Sequence, residues 1–271
     1  MPRPRIYNTE AIVLRSNPLG EADRLLTLLT PTLGKLQATA RGARKTTSKL
    51  GGHVDVLTRS SMALARGQSI DTITSADTLE TFIPVKSNLE KLSRAVYLAE
   101  LVDMLSPLES PSPTIYALFL ESLRALEAKA DMDTVVRYTE IQLLSCSGFL
   151  PELQECTECR TSVTPGQHYF SPAAGGILCP SCRTSHPDAF NISLNALKVL
   201  RFFSTSSISS ALLLRIDPPL HRELAAIISA YLRYVLEREP RSIAFLHALS
   251  RLAAHPVAHS SQGSVEATLS R

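Results

Sequence analysis

Four cysteines carry the most definite chemistry in the chain: Cys156-Thr157-Glu158-Cys159, a gap of nineteen residues, then Cys179-Pro180-Ser181-Cys182. A Cys-x-x-Cys turn lets two thiolates converge on one cation while intervening N–H groups donate to sulfur. Two such turns supply the four ligands of tetrahedral zinc, and the gap is that of a zinc ribbon. Four sulfurs leave no open position for water, so the spacing predicts one structural Zn2+ rather than a catalytic one. Gly175-Gly176-Ile177-Leu178 leads into the second pair as a short strand and turn. Two disulfides would need an oxidising compartment, and a redox dithiol would sit singly at a helix start in a βαβ setting. The fifth cysteine, Cys146, lies before Gly148 on an apolar helix and reads as core.

A second constellation is cationic. Lys35, Arg41, Arg44, Lys45 and Lys49 fall within fifteen residues, and Thr46, Thr47 and Ser48 add hydroxyl donors. Such a loop can track a phosphodiester backbone, releasing counterions and making affinity fall with salt. The long-range balance points the same way. Residues 1–66 hold 11 Lys/Arg against four acids, a net of +7, which leaves 17 against 21, a net of −4, for the rest. A basic head on a mildly acidic body suits a polyanion partner. Tyr7 is the sole aromatic of the first 80 residues. The head should therefore grip backbone more than bases, on single and double strands alike.

The elements that position these groups follow from periodicity. Residues 1–82 read as about five strands (6–15, 24–30, 34–41, 54–66 and 70–81), with a turn at Asn17-Pro18-Leu19-Gly20. That pattern suits a small barrel, the OB-fold first among five-stranded types, and periodicity alone does not separate it from an SH3-like one. From Asn88, Leu89, Leu92, Val96, Ala99, Val102 and Leu105 recur at helical spacing and predict one apolar face. Further helices are expected over 114–130, over 133–147 with Gly148 as the stop, from Ser193, from Asp217 to near Pro240, and over 242–254. The expected division is a barrel over 1–82, a helical domain over 83–150 and 191–254, a zinc finger insert over 151–190 and a disordered tail over 255–271. With 44% apolar and 20% charged residues, the chain can fill a sizeable core. No apolar run approaches the ~18 residues a membrane helix needs, and no secretory signal is evident. A reducing cytoplasm is the expected setting.

Taken together, Ala11-Ile12-Val13-Leu14, Gly20-Glu21-Ala22-Asp23-Arg24-Leu25-Leu26-Thr27-Leu28-Leu29-Thr30, Gly34-Lys35-Leu36 and Ala40-Arg41-Gly42-Ala43-Arg44-Lys45 resemble the N-terminal signature of the bacterial recombination mediator family RecO. The resemblance spans residues 5–250. It implies a multidomain α+β protein, with a five-stranded OB-fold barrel followed by a helical domain interrupted by a four-cysteine zinc finger. It also implies a non-enzymatic, nucleoid-associated DNA repair protein of the RecF pathway that binds single- and double-stranded DNA and anneals complementary strands. Its implied partners are RecR, the C-terminal tail of single-strand-binding protein (SSB) and, indirectly, RecA. By position, the DNA-facing barrel surface falls on Arg24, Lys35, Arg41, Arg44, Lys45 and Lys49, with Glu21 and Asp23 as rival partners for Arg24. Arg201, Arg222 and Arg233 are the candidates to hold the acidic SSB tail. Where many members have Pro-Phe before the fourth strand, this chain has His53-Val54.

Two other classes compete. A nuclease would need clustered carboxylates or an activated nucleophile. Asp23, Asp55, Asp71 and Asp77 are instead scattered, and His53 reads as a surface loop residue. A zinc-ribbon transcription or RNA-binding factor shares the metal and the basic barrel, and the N-terminal signature alone separates it from the mediator.

Overall fold

The computed structural model describes residues 5–128, 130–163 and 166–245. Five strands come first: β1 (Ile6–Leu19), β2 (Asp23–Thr30), β3 (Gly34–Ala40), β4 (Arg59–Ala65) and β5 (Asp71–Glu80). They close into a barrel in the order β1-β2-β3-β5-β4, with β3 and β5 parallel and the other neighbours antiparallel. This is the topology of an OB-fold, which settles the choice against an SH3-like barrel.

The apolar run Ala11-Ile12-Val13-Leu14 does not alternate with polar residues because β1 is buried on both faces. Ala11 and Val13 point into the barrel with Leu26, Leu28, Met62 and Leu64. Ile12 and Leu14 face outward into the helical core beside Leu29, Leu57 and Phe82. β1 serves β4 with residues 6–12 and β2 with residues 12–19, and an irregularity between Val13 and Arg15 marks the handover.

Two strand expectations are corrected. The first turn lies at Gly20–Ala22, with Gly20 at φ +60°, not at Asn17-Pro18. Pro18 pairs with Arg24 on one side only, so its missing N–H removes no ladder bond on the other. The fourth strand begins at Arg59, because Gly51–Val54 form a 3-10 turn that sinks Val54 into the barrel core.

Helices follow: α1 (Ile83–Lys86), α2 (Leu89–Leu105), α3 (Pro113–Glu127) and α4 (Met132–Cys146). Asn88, Ser112 and Asp131 cap the last three through side chains that accept backbone N–H bonds, and Gly148 at φ +79° ends α4 as expected. A three-stranded sheet of β6 (His168–Ser171), β7 (Gly176–Leu178) and β8 (Phe190–Ile192) carries the cysteine insert. Ser193 then caps α5 (Leu194–Thr205), α6 (Ile208–Ala211) is short, and Asp217 caps α7 (Pro218–Leu236). Residues 241–245 are helical; the rest of the helix expected over 242–254, and the expected tail, lie outside the described residues.

The face expected for α2 is half right. Ala99, Val102 and Leu105 are buried, but so are Ala95, Tyr97, Leu98 and Leu101, while Leu89 and Val96 are 54% and 38% exposed. The helix is apolar on two sides. One side joins the core with α3 and α4, and the Leu92–Val96–Ala99 stripe turns towards the barrel.

Polar clamps fix the barrel on the helices. Arg59 binds Glu10 (2.7 Å), Glu80 (2.5 Å) and the Tyr116 hydroxyl (3.2 Å), and Glu80 also receives Arg124 (2.7 Å). The backbone of β3 meets the loop after α2, where Glu109 N–H donates to Lys35 O at 2.8 Å.

Candidate nucleic-acid interface and metal centre

The loop of residues 41–50 is ordered by its neighbours. Gly42, at φ +65°, turns its N–H onto the Asp23 carboxylate (2.7 Å). Arg44 N–H donates to Ala22 O (2.9 Å), and its guanidinium donates to Gly20 O (3.0 Å). Ala43 plugs the loop into the barrel core. The β1–β2 turn thus holds the loop from outside while the barrel holds it from inside. What remains outward is cationic: Arg41, Arg44, Lys45 and Lys49 are exposed, as are Thr46 and Thr47. None of those four cations has an acidic partner among the described residues.

The other two expected contacts part company with the loop. Lys35 turns inward: its ammonium binds the Asp103 carboxylate at 3.0 Å and also the Asp103 carbonyl, and the side chain is 11% exposed. It is a rivet between β3 and α2, not a surface contact. Arg24 pairs with Asp55 at 2.9 Å rather than with Glu21 or Asp23. It lies on the rim of a cleft of about 790 Å³ between the barrel and α2. Arg44 stands on the same rim. Arg15, Lys86 and Arg241 line the cleft too, and no local spacing signals them because they are far apart in the chain.

The four sulfurs converge. All lie within 4.8 Å of one another, and Cys159 Sγ is 3.8 Å from Cys179 Sγ. A tetrahedron with metal–sulfur bonds of about 2.3 Å has edges of about 3.8 Å, so the cage fits one ion. Cys179 N–H donates to Cys156 Sγ (3.4 Å), the sulfur-directed bond expected of a knuckle, and Arg160 takes φ +57° to close the first turn. The hydroxyl and N–H of Thr161 hold the Cys159 thiol down at about 6, whereas hydrogen bonding with Cys179 and Cys159 pushes Cys182 up to about 12. His186 bonds Glu158 (3.0 Å) and His168 is buried in β6, so the thiols form the cage without them.

Comparison with known proteins meets this geometry at both ends of the chain. Residues 3–82 match the family model described as "Recombination protein O N terminal", and residues 86–243 match "Recombination protein O C terminal". The chain belongs to the RecO family. The DNA repair protein RecO of Dehalococcoides mccartyi is 41% identical over 251 residues, covering 93% of this chain and 99% of its own length. That of a Roseiflexus species is 41% identical over 244 residues (90% and 86%), and that of Pelotomaculum thermopropionicum is 33% identical over 242 (89% and 94%).

The signature that suggested RecO is now seen as architecture. Gly20–Ala22 is the turn that receives the loop, Asp23 accepts its Gly42 N–H, and Gly34-Lys35 meets the helical part. His53-Val54 stands in the 3-10 turn. His53 is partly buried rather than a surface residue, its Nδ1 2.8 Å from Thr78 Oγ1. Asp55 and Asp71 are likewise occupied, by Arg24 and by the Tyr7 hydroxyl (2.6 Å). Among the described residues, the four cysteines are the one group of three or more Cys, His, Asp or Glu placed to share a metal, and no helix is long and apolar enough to cross a membrane.

A second groove, of about 940 Å³, runs between the start of α4 and α7. Arg222 and Arg233 line it beside Val136, Ile216 and Ile243. Arg233 is paired with Glu239 (2.8 Å). Arg201 is elsewhere, donating to Leu153 O at 2.7 Å beside the insert.

Proposed function

We propose that this RecO-family protein acts in DNA repair as a non-enzymatic mediator, with the loop of Arg41, Arg44, Lys45 and Lys49 as its phosphate-gripping surface. One observation carries the reading: four exposed cations without acidic partners among the described residues stand on a loop that the β1–β2 turn of an OB-fold holds in place. Arg24 extends that surface to the cleft, and Lys35 is left out of it. Neutralising two phosphate backbones on such a loop removes most of their mutual repulsion, so the same surface supports annealing of complementary strands. The ion in the cysteine cage is Zn2+, which four thiolates in a tetrahedron favour, and its role is structural. In this reading the protein works with RecR to load RecA on SSB-coated DNA. The groove beside Arg222 and Arg233 suits an acidic tail with an apolar end, since it joins guanidinium groups to aliphatic walls.

The deciding experiment is a titration of single- and double-stranded DNA at two salt concentrations, wild type against the double variant Arg44→Glu/Lys45→Glu. Reversing two contacts should weaken both DNA forms about 100-fold or more at low salt and flatten the salt slope by about two. Unchanged affinity and annealing would remove the loop from the DNA path.

A further inference from the structure

The cleft between the barrel and α2 unites two things that no single element displays. Its walls are aliphatic: Leu14 and Val56 from the barrel side, Leu92, Val96 and Ala99 from α2. Val96 is 38% exposed, so an apolar stripe that periodicity would assign to a core instead stands half open. Its rim is cationic, with Arg15, Arg24, Arg44, Lys86 and Arg241 against Asp55, Glu100 and Asp103.

Each of those three acids is already engaged. Asp55 holds Arg24, and Asp103 holds Lys35 and, at 3.7 Å, Arg15. Glu100 accepts the N–H groups of Arg241 and Ser242 and the Ser242 hydroxyl. Five cations against three acids leave the rim a net of +2 around an apolar floor, carried by Arg44, Lys86 and Arg241 rather than by the paired Arg15 and Arg24. Two of its cations, Arg24 and Arg44, also belong to the proposed phosphate-gripping surface, so cleft and loop are continuous.

We infer that this cleft is a subsite for single-stranded DNA, in which unpaired bases lie on the Leu92–Val96 wall of α2 while their phosphates follow the arginine rim. The inference rests on the mediator reading and adds a place for the bases. The barrel itself lacks one: Tyr7, its only aromatic, is tied to Asp71 and covered by the Arg66 guanidinium at 4.7 Å. Apolar walls and guanidinium planes accept any base face, so the subsite is sequence-tolerant. A duplex keeps its bases stacked inward and gains nothing from the floor. The volume, about 790 Å³, lies within the ~300–1,000 Å³ of sites that enclose small ligands. Single strand and duplex thus share the loop, and the cleft belongs to the single strand.

The test measures fluorescence anisotropy of a labelled oligothymidylate and of a duplex of equal length, with wild type, Val96→Glu, Val96→Ala and Arg44→Glu/Lys45→Glu. Val96→Glu should weaken the single strand about tenfold, the scale of one lost base contact, and leave the duplex within about twofold. Val96→Ala, the milder change, should weaken the single strand about threefold with the same selectivity. Iododeoxyuridine in the strand should crosslink to the 89–105 peptide of the wild type. The loop double variant should weaken both forms. If it does while Val96→Glu changes neither, or both equally, or crosslinks avoid 89–105, the subsite is overturned and the mediator reading stands. If the loop variant changes nothing, the underlying reading fails first. Intact single-strand affinity in Val96→Glu, with loss of an acidic peptide that the wild type binds, would overturn the proposal in favour of a peptide groove.

Discussion

The loop of residues 41–50 has no strand of its own, the cysteine insert of residues 151–190 has only short ones, and the two are held in different ways. The loop borrows its order from hydrogen bonds to the β1–β2 turn and from Ala43 sunk in the barrel. The insert borrows from the helical core through Leu153, Phe170 and Ile177, but the cluster around its own cysteines is little more than Cys156, Leu178 and Ala189. In the proposed reading the thiolates add the rest through a bound ion. Charge divides them too. The insert sets Arg160 and Arg183 against Glu152, Glu155, Glu158 and Asp188, a net of −2, whereas the loop offers four cations with no acidic partner among the described residues. Holding a phosphate takes orientation; holding a fold takes free energy. The two readouts should therefore separate, which also argues against the zinc-ribbon factor, whose ribbon would be the nucleic-acid contact.

The strongest way to break that separation is to remove the ion. Metal binding is worth about 10–16 kcal/mol in isolated finger peptides, so chelation or Cys156→Ser should open the insert to protease between residues 151 and 190. The helical core should weaken with it, because Phe170, Ile177 and Ile192 are part of that core and Phe170 meets Tyr231 edge-on at 5.6 Å. DNA affinity should stay within about threefold, since the proposed phosphate contacts are elsewhere. Affinity that collapses in step with the metal would erase the distinction.

Next in size is the seam between barrel and helices. Gly34 sits at φ +71°, and a Cβ there would lie 2.0 Å from the Ser110 carbonyl oxygen. Gly34→Ala must therefore push the loop after α2 away from β3, at a cost of about 3 kcal/mol, read from the denaturant midpoint. The loop cations lie outside that contact, so DNA binding per folded molecule should hold.

These features differ in how legible they were. The cysteine cage was readable because its information is local: two short spacings determine it. The barrel was readable as strand number and, through the family resemblance, as an OB-fold, but its register was not, since pairing is non-local. Lys35 was misread because charge along the chain does not say which cations meet water. Its partner Asp103 lies 68 residues away on a helix whose docking periodicity cannot supply. The same holds for Arg15, Lys86 and Arg241, which share a cleft only in three dimensions. The stripe on α2 misled for another reason: a helix apolar on two sides has no single face for a period to find.

Lys35 against Lys45 sharpens the comparison inside the cationic cluster itself. Lys35→Ala leaves the Asp103 carboxylate to the longer Arg15 pair at 3.7 Å and should cost about 1–2 kcal/mol of stability with DNA affinity unchanged. Lys45→Ala should leave stability alone and lower the salt slope by about 0.9 on duplex. A Lys35 variant that folds as well as the wild type but loses DNA would return that residue to the surface.

The smallest expected effect is a pH signature at the seam. The Arg124 guanidinium, followed by that of Arg59, holds the Glu80 carboxyl below its ordinary value against the opposing effect of burial. A depressed carboxyl stabilises the fold above its unfolded pKa of 4.5 and loses that contribution as pH falls through the lower folded value. Glu80→Gln should therefore be less stable than the wild type at pH 7 by about 1 kcal/mol, a few degrees in Tm, with the gap closing as pH drops below about 4.5. The loop cations have no carboxylate partner among the described residues, so the protonation of Glu80 does not touch them directly. Acidification should thus loosen the seam before it weakens the grip on phosphate. Single-strand affinity that falls together with Glu80 protonation would mean that the barrel–helix junction, and not the loop alone, sets the grip.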